Sequence, residues 1–296
     1  MKVDAILLAG DRRASKAVRN KNKAFLQLKG DPLIVHVLRA LQAAESVNNI
    51  YVVGPKQRLD ETLQSFEVPV TTVEQGENMI ANVKAGFEAA HSDGETPIMV
   101  VPCDIPLVTG REIDEFVKKS DLENYDYAIG ITDKSVLEHY APTEKKPGLD
   151  MICFHVKDGL FRQNNLHLAR PNRLKHLDHI EKMYEWRYQT HFFNILRLGI
   201  SLLFSSWHFF TAMRVFILLQ LSLYYDRHGH PTLSRKLRDH APLETLNKGI
   251  SHILGARVET VYTTLGGATL DVDNDESLDV IEQMYDEWMD YQLAQR

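Results

Sequence analysis

Three stretches of this chain carry residues suited to phosphate chemistry. The first follows an apolar run. In AILLAG-DRRASKAVRNKNK, six basic residues (Arg12, Arg13, Lys16, Arg19, Lys21 and Lys23) fall within thirteen positions after Gly10. A parallel strand delivers its ligand site at its carboxyl end, and a basic loop there attracts a polyphosphate or is simply solvated. The second stretch is IMVVPCDIPLVT, where Asp104 follows a short apolar strand between Pro102 and Pro106. A carboxylate at that edge is placed to bind Mg2+. The rival duty, capping the next helix, falls better to Thr109. The third is LDVDNDESL, with Asp271, Asp273 and Asp275 between the last strand and the last helix. There Asp275 and Glu276 suit capping and the helix dipole, while an earlier acid faces the metal. Neither GxxxxGK[ST] nor GxGxxG occurs, which excludes a Walker-type site and argues against a dinucleotide dehydrogenase.

These groups need a sheet to position them, and the hydrophobic pattern supplies one. Apolar runs at 3–9, 50–53, 68–73, 98–101, 127–131, 151–156 and 257–264 read as strands. Residues with helical spacing at 32–44, 78–90, 113–117 and 276–292 separate them. The alternation predicts an α/β, Rossmann-like fold with a mostly parallel sheet. From 172 to about 225 the pattern is long helices, closed by the loop DRHGHP after Asp226. The expected division is a core of 1–160 and 241–296, interrupted by a helical insertion at 161–240.

Charge separates the two parts. The whole 296-residue chain has a net charge of -6, so it is not built as a nucleic-acid binder. The segment 161–240 holds twelve Lys or Arg against five Asp or Glu, and eight of the thirteen histidines. It either contacts something anionic or packs a basic face on an acidic core. Within it, 198–213 is a sixteen-residue uncharged run, shorter than the ~20 residues that a membrane span needs. A helical projection puts Thr190, Asn194, Arg197, Ser201 and His208 on one stripe, with Ser205 beside it. The broad apolar face opposite suits core or homodimer packing, or peripheral membrane contact through 187–225. Only two cysteines occur, Cys103 and Cys153, which fits a reducing, cytoplasmic setting without a disulfide framework. The short apolar N-terminal run followed by DRRASK reads as a buried strand, not a signal peptide.

In order and spacing, these elements resemble the molybdenum-cofactor-guanylyltransferase-like (MobA-like) NTP transferases. That family is a branch of the sugar-nucleotide pyrophosphorylase, GT-A-like superfamily. The resemblance covers about 1–135 and 255–290. It rests on LLAG, the basic loop ending in the lysine of NKAFL, KGDPLI, the CDIPL aspartate, GENMIANVKAG and DVDNDESL. It implies an NTP lined by Leu8, Ala9, Gly10, Gly76, Asn78 and Asn82. Asp104 and Asp273 would hold Mg2+, Lys23 would meet the α-phosphate, and Arg13, with Lys16 or Arg19, would grip the β- and γ-phosphates. An acceptor phosphate, small or lipid-linked, would attack the α-phosphorus and release pyrophosphate, without a general base. The chain departs from the family in having DRRASKAVRN where further glycines and Arg-Met-Gly are usual, and in its insertion. Arg162, Asn164, Asn165, Arg170 and Arg173, at the start of that insertion, are the candidate acceptor-binding residues, or else they cap and solvate its first helix. Two rival readings remain. One is a glycosyltransferase of the same broad fold using the DVD triplet; the other is a non-catalytic nucleotide- or membrane-binding protein.

Overall fold

The computed structural model describes residues 1–12, 18–66, 69–91, 93–176 and 208–295. Six strands and four helices alternate through the first part of the chain: β1 (Val3–Leu8), the short pair β2 (Gln27–Leu28) and β3 (Asp31–Pro32), α1 (Leu33–Ala43), β4 (Val47–Gly54), α2 (Lys56–Leu63), β5 (Thr71–Glu74), α3 (Met79–Ala89), β6 (Ile98–Pro102) and α4 (Gly110–Lys119). There follow β7 (Tyr127–Asp133), the one-turn α5 (Lys134–Leu137), β8 (Phe154–Val156) and β9 (Gly159–Ala169). Beyond the undescribed stretch come α6 (His208–Arg227), α7 (Pro231–Arg238), α8 (Leu243–Leu254), β10 (Val258–Thr263) and α9 (Asp275–Ala294).

The main sheet runs β10-β7-β9-β6-β1-β4-β5, with β8 paired to β9. The pairs β1–β4, β1–β6, β4–β5 and β7–β10 are parallel, and β9 lies antiparallel between β6 and β7. The mostly parallel α/β fold expected from the alternation is therefore present. Strands buried on both faces explain its sequence signal. Ala5 and Leu7 face a cluster with α1 and α4, while Ile6 turns to Phe87 of α3 on the other side. The last helix closes the molecule: Trp288, Ile281 and Leu278 pack against Leu28, Leu33 and Tyr140.

The sixth strand is where the structure departs from expectation. Only Phe154–Val156 of the run 151–156 is a strand, and the eleven-residue β9 follows it. Residues 161–169, expected to open the helical insertion, instead lie in the middle of the sheet. Alternation is present in β9, since Phe161, Asn164, Leu166 and Leu168 are buried, but a bulge breaks its period. Arg162, Gln163, Asn164 and Asn165 further obscure the apolar signal. Three helices also went unread. α2 shows the core only Leu59 and Leu63. α7 begins on Pro231, the last residue of DRHGHP, whose first two residues end α6, and α8 fills most of 241–256. Of the long helices expected at 172–225, the part from 208 on is α6, residues Pro171–Arg173 form a 3-10 turn, and 177–207 lie outside the described residues. So do Thr190, Asn194, Arg197, Ser201, Ser205 and the side chain of His208 on the projected stripe. Among the described residues, no helix is long and apolar enough to cross a membrane.

Candidate active site

Lys23 is delivered to the sheet edge by its own local structure. Beyond the undescribed residues 13–17, Val18 and Lys21 bridge across a turn whose two central residues, Arg19 and Asn20, take left-handed φ values of 49° and 58°. Asn22 then caps the short 3-10 turn Lys23–Phe25. Its Oδ1 accepts the Ala24 N–H at 2.9 Å, while its Nδ2 donates to the Ala9 carbonyl at 3.1 Å. One side chain thus ties the lysine turn to the carboxyl end of β1.

Asp104 arrives from the neighbouring strand, since Leu8 is in register with Pro102. The Asp104 carbonyl accepts the Val272 N–H at 2.8 Å, which draws the third stretch alongside the second. Asp273 follows at the mouth of α9. The cap of that helix is Asn274, in a reciprocal capping box with Ser277. Asp275 and Glu276, expected among the caps, lie in its first turn, where they suit the dipole.

The three groups converge on one another. Lys23 Nζ donates to Asp104 Oδ2 at 2.7 Å and to Asp273 Oδ1 at 3.4 Å. Lys23 and Asp104 are 13% and 18% exposed, Asp273 48%. Burial alone would lower the Lys23 pKa. The Asp104 charge and hydrogen bond, with Asp273 behind them, outweigh it and hold the ammonium above its ordinary range. Beside them, Arg162 Nη2 donates to Asp271 Oδ1 at 2.9 Å. Burial, then the adjacent Asp273 charge, push the Asp271 carboxyl up to about 6 despite that arginine. Two carboxylates therefore meet a lysine at the carboxyl edge of β1 and β6, and the Asp271–Arg162 pair lies against one of them, Asp273.

Asp104 and Asp273 are hard oxygen donors of the kind Mg2+ takes. That ion uses one or two carboxylates and completes its shell with water and substrate phosphates. Among the described residues, no three or more His, Cys, Asp or Glu side chains are grouped to hold a metal by themselves. The pair fits an ion that shares its coordination with a bound phosphate.

A second, neutral surface flanks the cluster. The Asp11 N–H donates to Gln75 Oε1 at 2.9 Å, and Gln75 Nε2 returns a bond to Asp11 Oδ1 at 2.7 Å. Asn82 Oδ1 accepts the Gly76 N–H at 2.7 Å, and Asn78 caps α3 by accepting the Ala81 N–H at 2.8 Å. A Cβ on Gly10 would overlap Asn82, and one on Gly76 would overlap Ala81. Gly10, Gly76, Asn78 and Asn82 are thus brought together, with Leu8 and Ala9 leading into them. Gln75 belongs with them and was missed, although its position just after β5 and before Gly76 was a usable signal. Asn22 was missed too.

Several expected residues lie elsewhere. Arg19 is held by α9: its N–H donates to Asp275 Oδ1 at 2.8 Å and its guanidinium pairs with Asp279. Arg13 and Lys16 lie outside the described residues. Asn164 is fully buried between strands, donating to Thr263 Oγ1 at 3.0 Å and accepting the Leu166 N–H at 3.1 Å. It holds the β7–β9 bulge at Gly130, where a Cβ would collide with it. Asn165 Nδ2 donates to the Ala268 carbonyl at 3.0 Å. The direction of β9 separates the arginines. Arg162 is in register with Thr132 at the carboxyl end of β7, and Ala169 with Ile98 and Tyr127 at the opposite edge. At ~3.3 Å per residue, Arg170 lies roughly 26 Å from Arg162. Arg173, beyond it, donates to Glu95 Oε2 at 2.8 Å. Of the proposed acceptor group, only Arg162 reaches the acidic cluster.

Comparison with known proteins places the chain in a family. A family model for the MobA-like NTP transferase domain matches residues 5–183. Over 128 residues the chain is 31% identical to a 2-C-methyl-D-erythritol 4-phosphate cytidylyltransferase of Bacillus velezensis, covering 40% of this chain and 52% of that protein. It is 30% identical over 105 residues to the Bacillus licheniformis protein of the same name, covering 34% and 45%. The chain spans about half the length of these curated relatives. A hypothetical transferase from Thermus thermophilus superposes with a TM-score of 0.64 at 22% identity, over 94% of this chain and 100% of that one. A CMP:2-keto-3-deoxy-manno-octonic acid synthetase complexed with CTP superposes with a TM-score of 0.52 at 13% identity, over 97% and 99%. These two likenesses show a shared fold.

Proposed function

The chain belongs to the family of MobA-like NTP transferase domains, and from that premise we propose that it transfers a nucleoside monophosphate from an NTP to a phosphorylated acceptor, releasing pyrophosphate. The observation that carries this reading is the convergence of Asp104 and Asp273 on Lys23 Nζ above the sheet edge. CTP is the first donor to test, because the curated relatives are named as cytidylyltransferases.

In this mechanism the base and sugar lie against Gly10, Gly76, Asn78 and Asn82. Lys23 leaves its aspartates for the α-phosphate, where its ammonium meets charge that grows as the bond to the leaving oxygen breaks. Arg13 and Lys16 grip the β- and γ-phosphates; Arg19, already paired with Asp279, is left out. Arg162 orients the acceptor phosphate, whose oxygen attacks the α-phosphorus in line. A new phosphorus–oxygen bond forms, the α–β bridge breaks, and the electron pair leaves with pyrophosphate. An ionised phosphate nucleophile requires no base, so positioning and charge neutralisation carry the catalysis. Held by Asp104 and Asp273, Mg2+ would add positive charge beside the reacting phosphate oxygens.

The test is pyrophosphate release, screened over the four common triphosphates with pools of phosphorylated acceptors. Release from a triphosphate supports the reading. Release of a nucleoside diphosphate from a sugar donor would replace it with glycosyl transfer.

A further inference from the structure

Glu112 sits in the first turn of α4, the helix that follows the Asp104 turn, and is 0% exposed. No described lysine, arginine or histidine pairs with it. Its carboxylate instead receives three donors from a single segment. Thr263 Oγ1 donates to Oε1 at 2.9 Å, the Gly266 N–H to the same oxygen at 3.2 Å, and the Ala268 N–H to Oε2 at 2.9 Å. That segment joins β10 to Asp271 and Asp273. It is fastened at further points: Glu115 Oε2 accepts the Thr264 N–H and hydroxyl at 3.0 Å each, the Tyr140 hydroxyl donates to the Leu265 carbonyl, Asn165 Nδ2 meets the Ala268 carbonyl, and the Val272 N–H meets the Asp104 carbonyl. At Gly267 a side chain would strike the Leu107 carbonyl, so the backbone lies tight against the Asp104 turn.

A buried carboxylate is costly to keep, and an apolar side chain would fill the same space more cheaply. What only the carboxylate does here is accept from all three donors, through both of its oxygens. A glutamine offers one oxygen and one donating amide, so at least one of the three would face another donor. Asp273 is itself half exposed, so its approach to Lys23 depends on where the backbone carries it. We infer that Glu112 is a positioning residue that clamps the segment 263–268 and thereby holds Asp273 in place beside Lys23 and Asp104. Its catalytic consequence rests on the nucleotidyl-transfer reading; the clamp itself does not.

Protonation of this group gives the clamp a signature. Burial pushes the Glu112 carboxyl up to about 7, against the pull of its three donors, and the Glu115 charge adds to the rise. Tyr140 is the other titratable group that feels its charge.

The experiment uses the full chain and compares wild type, Glu112→Gln and Glu112→Asp by amide hydrogen exchange and by pyrophosphate release from CTP. In Glu112→Gln, exchange across 263–272 rises about tenfold while the amides of β1 and β6 keep their protection. Wild-type protection of 263–272 weakens as pH rises through about 7, because the closed segment holds the Glu112 proton more tightly than the opened one, and Glu112→Gln shows no such dependence. The kcat falls about tenfold with KM for CTP little changed, and Glu112→Asp recovers part of both effects. Wild-type exchange across 263–272 in a folded Glu112→Gln protein, or an unchanged kcat, overturns the clamp. If wild type releases pyrophosphate from no triphosphate, the functional reading falls and exchange still decides the clamp. Should Glu112→Gln not fold, Thr263→Val removes one donor and keeps the carboxylate. It loosens the same segment to a smaller degree, and full protection there would overturn the inference.

Discussion

Replacing Lys23 with alanine removes a cation that meets both site aspartates. The bond to Asp104 is charge-assisted, at 2.7 Å and mostly buried, and such bonds contribute about 1.5–3 kcal/mol. The longer contact to the half-exposed Asp273 is screened and adds under ~1 kcal/mol. The fold should therefore lose about 2 kcal/mol, without the full penalty of a stranded charge, because water reaches both carboxylates. The freed pair becomes a better divalent site, since no ammonium competes for it. A cation at a hundred times its Kd stabilises by about 2.7 kcal/mol, enough to cancel the loss. Thermal unfolding with and without Mg2+ or Mn2+ reads this directly: the metal-induced rise in Tm should be larger in Lys23→Ala than in wild type. In turnover, kcat should fall roughly a hundredfold, the usual cost of removing one donor to developing charge. KM for the triphosphate should change little. A raised KM with unchanged kcat would place Lys23 on ground-state phosphates. A metal response equal to that of wild type would show that lysine and cation do not share the carboxylates.

Arg162→Ala should raise KM for the acceptor about tenfold, as expected for a lost bidentate phosphate contact, whereas Arg170→Ala, at the other sheet edge, should leave it unchanged; equal effects in steady-state kinetics would contradict the direction of β9. Glu112 makes stability depend on pH. Its folded pKa of about 7 lies above the ordinary carboxyl value of 4.5, so the folded state holds the proton more tightly, and this contribution is complete below about 4.5 and lost as pH rises through about 7. Denaturant unfolding from pH 4.5 to 8 should show that loss in wild type and not in Glu112→Gln. On α6, Ile217, Leu221 and Tyr224 are exposed on one stripe with Arg214. Salt-reversible sedimentation with anionic vesicles that Leu221→Asp abolishes would assign the stripe to lipid; a dimer that Leu221→Asp splits, with no vesicle binding, would assign it to self-association.

The core strands were legible because burial on both faces leaves unbroken apolar runs, as at Ala5–Leu7 and Met99–Val101. Asp104 was legible because it follows such a run, and Asp273 because it stands just before the last helix. β9 was not. Its polar residues have interior tasks that no local pattern displays, Asn164 bridging to Thr263 and accepting from Leu166 across a bulge. Without that strand, Arg162 and Arg170 look like neighbours, although seven residues of β9 separate them. Asn22 and Glu112 were hidden for a related reason. Each acts on backbone groups, and several of those, the Ala9 carbonyl and the Gly266 and Ala268 amides, become its neighbours only when the sheet assembles.

The most direct test follows the α-phosphate itself. CTP labelled at that position is incubated with Mg2+ and a pool of phosphorylated acceptors, using wild type and Asp104→Asn. Nucleotidyl transfer predicts that label passes to an acceptor with one pyrophosphate released per transfer, and that folded Asp104→Asn, lacking the carboxylate charge, is nearly inactive. Wild-type transfer by Asp104→Asn, or the absence of label transfer and pyrophosphate from CTP and the other three triphosphates alike, would contradict it.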